Sequence, residues 1–470
     1  MSDQPDQFGR PEQPDPLAEP SYAVQPEYRG EPDQPAPPDH PRATDQFELV
    51  VTDAALRGRD GRYSIGVSDG QIAAVQQEPL SGRVEIDAGG NLVTEPFVNA
   101  HLHLCKAYTH GRAGDAVASA YAGGSMGAAM SAVELASAVK DGYGEDAIEA
   151  NARRAMFEAV RHGVRHVLAF VDVDTKAQLT GVGPLVRLRE EFEGVAELYI
   201  VAFPQQGLLR DPGAEDLVRQ AIALGADVVG GIPWIEHSDD DAREHISRMC
   251  ALAAEHGRMV AMLVDDAGDP ALRTTEMLAA EMIRQGLEGR GIAHHARAVG
   301  SYAEPSVRRL ANLARQAGLT FVSSPHTGPA HLPAFQLADL GVPVAFGQDD
   351  IEDTYYPFGR NNMLEVAFLA AHSLGAVTHQ ALERVFDMVT GEAAQVLGLN
   401  GPGLAVGGAA DLVVLDGSSV RDVLIRHNPP RYVVAGGRIV AVNSSSTAFH
   451  LGARGEQSVP AGWPEHGAAT

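Results

Sequence analysis

Between residues 92 and 347 the chain repeats one pattern eight times: a short run of apolar, β-type residues followed by a connection that, in most cases, spaces its apolar residues as a helix does. The runs are 92–100, 166–173, 198–203, 228–233, 260–264, 291–295, 319–323 and 342–347. Helical spacing occupies 145–161, 214–224, 241–256, 275–285 and 306–316, and two later helices are expected at 363–373 and 380–397. Strands that are apolar along their whole length, each followed by a crossover, specify a parallel sheet covered on its outer face. Eight such units in about 300 residues have the size of a (β/α)8 barrel. A doubly wound open sheet would carry a Gly-rich phosphate loop after its first strand, and none is present.

The barrel does not use the whole chain. From Phe47 onward, short alternating runs separated by Gly and Asp turns read as a small all-β segment, and a matching set lies at 410–416 and 432–440. The two pieces, 47–93 and 400–442, are expected to pair into one β-sandwich built from both ends of the chain, flanking a barrel at 94–399. Residues 1–46 hold 11 of the 29 prolines, ten acids and three arginines, which is the composition of a disordered acidic tail rich in Pro and Gln. Residues 443–470 read as a loose C-terminal tail. The formal charge of −26, with no local basic patch, argues against nucleic acid and acidic membrane surfaces as partners. Two cysteines, no charged-then-apolar leader and no apolar run of about 18 residues give a cytoplasmic location as the expectation.

In a barrel of this type the active site forms at the C-terminal strand ends, and polar residues gather there. The first strand leads into His101-Leu102-His103, whose two-residue spacing puts both imidazoles on one side. Neutral imidazoles paired in this way suit a divalent metal. The third strand ends in Phe203-Pro204-Gln205-Gln206-Gly207, the fifth in Asp265-Asp266, the sixth in His294-His295 and the eighth in Gln348-Asp349-Asp350. One such cluster is weak, because Asp at a strand end is often only a helix cap. Five at five strand ends point to a site. His162, His166, His237, His245 and His256 read as surface or core histidines, Cys250 as a small buried hydrophobe, and the acidic run 236–241 as a solvated loop with a helix cap.

The stretches EPFVNAHLHLCK at 95–106, VDVD at 171–174, VAFPQQG at 201–207, FGQDD at 346–350, YPFGRNNML at 356–364 and GGAADLVVLD at 407–416 occur in an order that resembles the amidohydrolase superfamily. Within it the chain is most similar to the cytosine-deaminase-like group, which hydrolyses C–N bonds in small nitrogen heterocycles. The resemblance implies one divalent ion, zinc or iron, on His101, His103 and Asp349, with Asp349 also taking a proton from the attacking water. It implies that His295 hydrogen-bonds that water or the leaving oxygen, that Gln205 reads an amide-like edge of the substrate, and that Asp350 and Tyr355 line the pocket. Trp234 belongs to the same substrate-binding set. Strand four, with Ile232-Pro233-Trp234, has no lysine to become a carboxylated bridge, so a single ion is expected. Members of the group commonly associate, and a homo-oligomer is expected.

The family pattern on strand five is His-x-Asp-Glu, and this chain has Leu263-Val264-Asp265-Asp266. Leu263 cannot ligate and presents an apolar wall to the pocket, and Asp266 is one methylene shorter than the Glu it replaces. Cys105 and Gln348 likewise stand where an Asp and a His are usual. Three readings follow. In the first, a metal-dependent hydrolase acts on a non-peptide C–N bond of a cyclic amidine, amide or guanidine, with His295 or a strand-five aspartate filling the vacant position. In the second, a metal-free pocket does cyclisation, isomerisation or elimination with Asp349, Asp266 and His295. The third is a non-catalytic binding homologue. The first is the reading adopted, because two HxH imidazoles, Gln205 and the Asp349-Asp350 pair are costly to bury without a role.

Overall fold

A computed structural model describes residues 46–446 except 114–116, 118, 121–125, 329 and 400–402. Apart from Gln46 and residues 443–446, the two expected tails lie outside the described residues. The chain enters with β1 (Phe47–Leu56), β2 (Tyr63–Ser68), β3 (Gln71–Gln76), β4 (Gly82–Asp87) and β5 (Leu92–Thr94). Eight barrel strands follow: β6 (Phe97–Leu102), β7 (Val164–Asp172), β8 (Glu197–Phe203), β9 (Val228–Gly231), β10 (Met259–Val264), β11 (Gly291–His295), β12 (Leu319–Ser323) and β13 (Val344–Phe346). β14 (Leu412–Val414), β15 (Tyr432–Ala435) and β16 (Arg438–Val442) return to the first sheet.

β6 to β13 pair in sequence order and in parallel, as the eightfold alternation requires. The remaining strands form a sheet in the order β16-β15-β14-β5-β1-β2-β3, with β4 on β1, so both chain ends do build one β unit. The expected first barrel strand, 92–100, is two strands. β5 pairs with β1 and β14 in the outer sheet, and the chain crosses into the barrel at Glu95-Pro96, where proline's missing N–H ends a ladder. The expected helix at 380–397 is likewise two, His379–Asp387 and Gly391–Val396.

One apolar layer fills the barrel interior, with Phe170, Phe203, Ala261, Leu263 and Ile292 among its members, and a larger one packs strands against helices. Several helices start where the site needs them. Asn362 accepts from Leu364 N–H at 3.1 Å and Glu365 N–H at 3.4 Å and so caps Met363–Ser373. Its neighbour Asn361 accepts from the Asn99 amide at 2.8 Å, and Asn99 in turn accepts from Gln348 N–H at 3.0 Å. These buried amides tie the 356–364 stretch to the first and last barrel strands.

Candidate active site

The barrel closes at the site itself. β6 and β13 meet through a parallel bridge between Leu102 and Asp349, in which Asp349 N–H donates to the His101 carbonyl at 2.9 Å and His103 N–H to the Asp349 carbonyl at 3.0 Å. That seam fixes the HxH pair against the eighth strand's carboxylate through the backbone alone. It also requires Gly347, since a Cβ there would lie 2.5 Å from the His101 Cβ and 2.8 Å from its nitrogen. Asp349 and His295 both have left-handed backbones, φ +67° and +66°. Asp and His tolerate this conformation better than most residues, but it is costly and collects at functional sites.

The side chains converge. Asp349 Oδ1 is 3.1 Å from His101 Nε2 and 3.8 Å from both His103 Nε2 and His295 Nε2. Oδ2 accepts from the Thr327 hydroxyl at 2.9 Å and lies 3.8 Å from Arg297. Burial works to raise the Asp349 carboxyl, yet the imidazoles of His295, His101 and His103 hold it well below the usual carboxylate range. Burial pushes His103 and His295 well below the usual imidazole range, which favours the neutral form with a lone pair. Potential ligand atoms of His101, His295 and Asp349 all lie within 4.8 Å of one another. The Nδ1 atoms of His103 and His295 are buried without a hydrogen-bond partner among the described residues, while their Nε2 atoms face the carboxylate. Neutral imidazoles and one ionised carboxylate around a common centre are the donor set of a zinc or iron site, so these residues fit such an ion.

The two strand-five aspartates part company. Asp265 is saturated: it accepts from Thr274 N–H and Oγ1 at 2.6 and 2.7 Å, from Thr275 N–H and Oγ1 at 3.1 and 2.6 Å, and from Tyr302 at 3.2 Å. It anchors the start of the helix Thr274–Gln285 and cannot be the substitute ligand. Asp266 instead faces the pocket in an ion pair with Arg297 at 3.0 Å. Burial pushes its carboxyl up to about 7; Arg297 opposes the shift and Asp349 adds to it. Of the substitutes expected for the missing strand-five ligand, His295 is the one placed with His101 and Asp349, and His103 stands slightly outside that group.

Beside the centre lies a pocket whose walls include Gln205, Trp234, Leu263, Asp350 and Tyr355, so every expected substrate-binding residue is at one place. Gln205 donates to the Tyr355 hydroxyl at 3.4 Å. The buried Trp234 indole N–H has no hydrogen-bond partner among the described residues. Burial, and then the charges of Asp349 and Asp353, raise Asp350 well above the usual carboxylate range.

Sequence reasoning missed a buried cation here. Lys106 lines the pocket, donates to Gln205 Oε1, and is 3.3 Å from Asp172 and 5.4 Å from the centre of the Tyr355 ring. Asp172 raises Lys106 against the opposing effect of burial. Lys140 binds Asp172 at 3.2 Å and also pairs with Asp174. Lys106 ends the 95–106 stretch and Asp172 lies in the 171–174 stretch, so the signal was there, but Lys140 has no local signal. Glu236 is a correction. It is buried, not solvated, accepting from the N–H groups of Leu208, Leu209 and Arg210 at 2.6, 3.2 and 3.0 Å and from His245 Nδ1 at 2.7 Å. The turn that presents Gln205 is pinned by this carboxylate from the next strand's loop.

The profile of the amidohydrolase family matches residues 110–441. The chain belongs to that family. It is 28% identical over 403 residues to the N-isopropylammelide isopropyl amidohydrolase of Pseudomonas sp. (strain ADP), covering 84% of this chain and 97% of that protein. It is also similar to the crystal structure of the 5-methylcytosine deaminase of Klebsiella pneumoniae liganded with 5-fluorocytosine, with 27% identity, a TM-score of 0.77, and coverage of 85% and 99% of the two chains. The N-isopropylammelide isopropylaminohydrolase of Burkholderia multivorans matches at 25% identity and a TM-score of 0.75, covering 85% of this chain and 99% of that one. The (β/α)8 barrel with a separate β domain is thus the architecture of the amidohydrolase family. Among the described residues no helix is long and apolar enough to cross a membrane.

Proposed function

We propose that this amidohydrolase is a metal-dependent hydrolase that cleaves a C–N bond, other than a peptide bond, in a small cyclic amidine, amide or guanidine. The observation that carries the reading is the convergence of His101, His103 and His295 Nε2 on Asp349 Oδ1, beside a pocket of amide, acid and aromatic groups. His101, His103 and Asp349 would hold one zinc or iron ion, with His295 in the position strand five leaves empty. A bound divalent ion supplies Lewis acidity that brings a water to ionise at about pH 7. Asp349 accepts the proton that the water loses as its oxygen bonds to the ring carbon. Asp266, which shares its proton readily near neutrality, delivers one to the nitrogen whose bond to that carbon breaks, so ammonia or an amine leaves. Gln205 and the Lys106 ammonium orient the ring through its oxygen and amide edge, while Asp350, raised well above the usual carboxylate range by burial, and the Trp234 N–H face ring acceptors. Leu263 forms an apolar wall of the pocket beside the centre.

Release of ammonia or amine from cytosine, 5-methylcytosine, N-isopropylammelide and pterin by the zinc- or iron-loaded protein tests the reading. Turnover of at least one ring, reduced by about 10²-fold or more in Asp349→Asn, is expected. No release from any of them, or an Asn variant as active as the wild type, would overturn it.

A further inference from the structure

The first imidazole of the HxH pair has an unusual partner. His101 Nδ1 lies 2.9 Å from His294 Nδ1, both rings are fully buried, and His294 also packs on Phe170 with ring centres 4.8 Å apart. His294 is in register with Leu263 on the neighbouring strand. In a parallel ladder paired residues project from the same face, so His294 stands in the barrel interior beside the leucine that offers no donor. It does not line the pocket and is not among the converging ligand atoms. Its Nε2 has no hydrogen-bond partner among the described residues.

Two Nδ1 atoms at 2.9 Å share one proton, so one ring donates and the other accepts. His101 can offer its Nε2 lone pair to an ion only when its own proton sits on Nδ1, and His294 Nδ1 is then the acceptor. A ligating imidazole that donates its other N–H to a fixed acceptor is held in both tautomer and rotation.

We propose that His294 is the positioning residue of the metal site: by accepting at Nδ1 it locks His101 with Nε2 toward Asp349. This rests on the metal-dependent reading above. An asparagine at 294 places its amide oxygen near the Nδ1 position and can accept from His101, whereas a glutamine reaches toward the Nε2 position and cannot.

Zinc affinity of the full chain, by competition with a chromophoric chelator, separates the cases. His294→Leu and His294→Gln are expected to bind zinc about 10- to 100-fold more weakly than the wild type, and His294→Asn within about threefold of it. The asparagine and glutamine variants differ by one methylene, so a gap between them at equal melting temperature supports positioning and not packing. Equal affinity of all three variants and the wild type, or Asn as weak as Gln, would overturn the assignment while leaving the metal reading intact. A wild-type protein that binds no zinc or iron(II) would remove both.

Discussion

Replacing Glu236 isolates what one buried carboxylate does for the substrate side of the barrel. Glu236→Ala leaves three turn N–H groups and His245 without their acceptor. Leu208 and His245 are buried, so their donors lose a partner with no water to replace it, whereas Leu209 and Arg210 are partly exposed and recover part of the loss. At about 1–3 kcal/mol for each buried unsatisfied donor, the two full losses give a destabilisation of about 2–6 kcal/mol, to which the two partial ones add. Glu236→Gln keeps an oxygen for Leu208 and Leu209 but turns an NH2 toward Arg210 N–H, and about 1–2 kcal/mol is expected. The pH dependence has a definite sign. Burial opposes ionisation of Glu236, yet the His245 hydrogen bond and the turn N–H groups hold it below the usual carboxylate range. Its contribution is therefore full above the unfolded value of about 4.3 and is lost as pH falls through the lower folded value. The glutamine variant should flatten that acid limb. Urea unfolding followed by tryptophan fluorescence measures all of this. An alanine variant within about 0.5 kcal/mol of the wild type, the scatter of ordinary surface substitutions, would refute the latch.

Gly347→Ala should force β6 and β13 apart at the seam, costing about 1–3 kcal/mol in overpacking and lowering bound metal; an alanine variant with normal zinc content would contradict the close approach. Leu263→His should tighten zinc binding while lowering turnover on the native substrate, because the pocket is shaped around leucine; higher native turnover would show the leucine to be mere drift. Since Asp266 is raised to about 7, and its protonated form is the one that delivers the proton, kcat should fall as pH rises through about 7, and Asp266→Asn should remove that limb along with most activity. A limb that persists in the asparagine variant belongs to another group.

The barrel was legible because each strand is largely apolar and largely buried, so period and length marked it. Two elements were misjudged for local reasons. Residues 92–100 are apolar on both sides of Pro96, and composition cannot tell which sheet each half joins; residues 380–397 keep helical spacing across Thr390-Gly391, where the chain bends. Gln205, Asp349 and His295 follow or end strands, and the barrel topology brings them to one pocket, as that rule expects. Glu236 escaped because its partners lie on another strand's turn, so a buried acceptor and a solvated acid look alike in sequence. The His101–His294 bond escaped for a similar reason, since 193 residues separate its rings. Asp265 and Asp266 are adjacent acids of opposite fate, one saturated by a helix start and one facing the pocket, and only the placement of Thr274 and Thr275 distinguishes them.

The most direct measurement is the metal content of the purified protein, by elemental analysis after dialysis, together with C–N hydrolysis before and after chelation. The expected result is about one zinc or iron per chain, sharply lower in His101→Ala and His295→Ala, with hydrolysis lost on chelation and restored by adding the ion back. A protein that holds no metal and turns over its substrate at the same rate in the presence of a strong chelator would contradict the account.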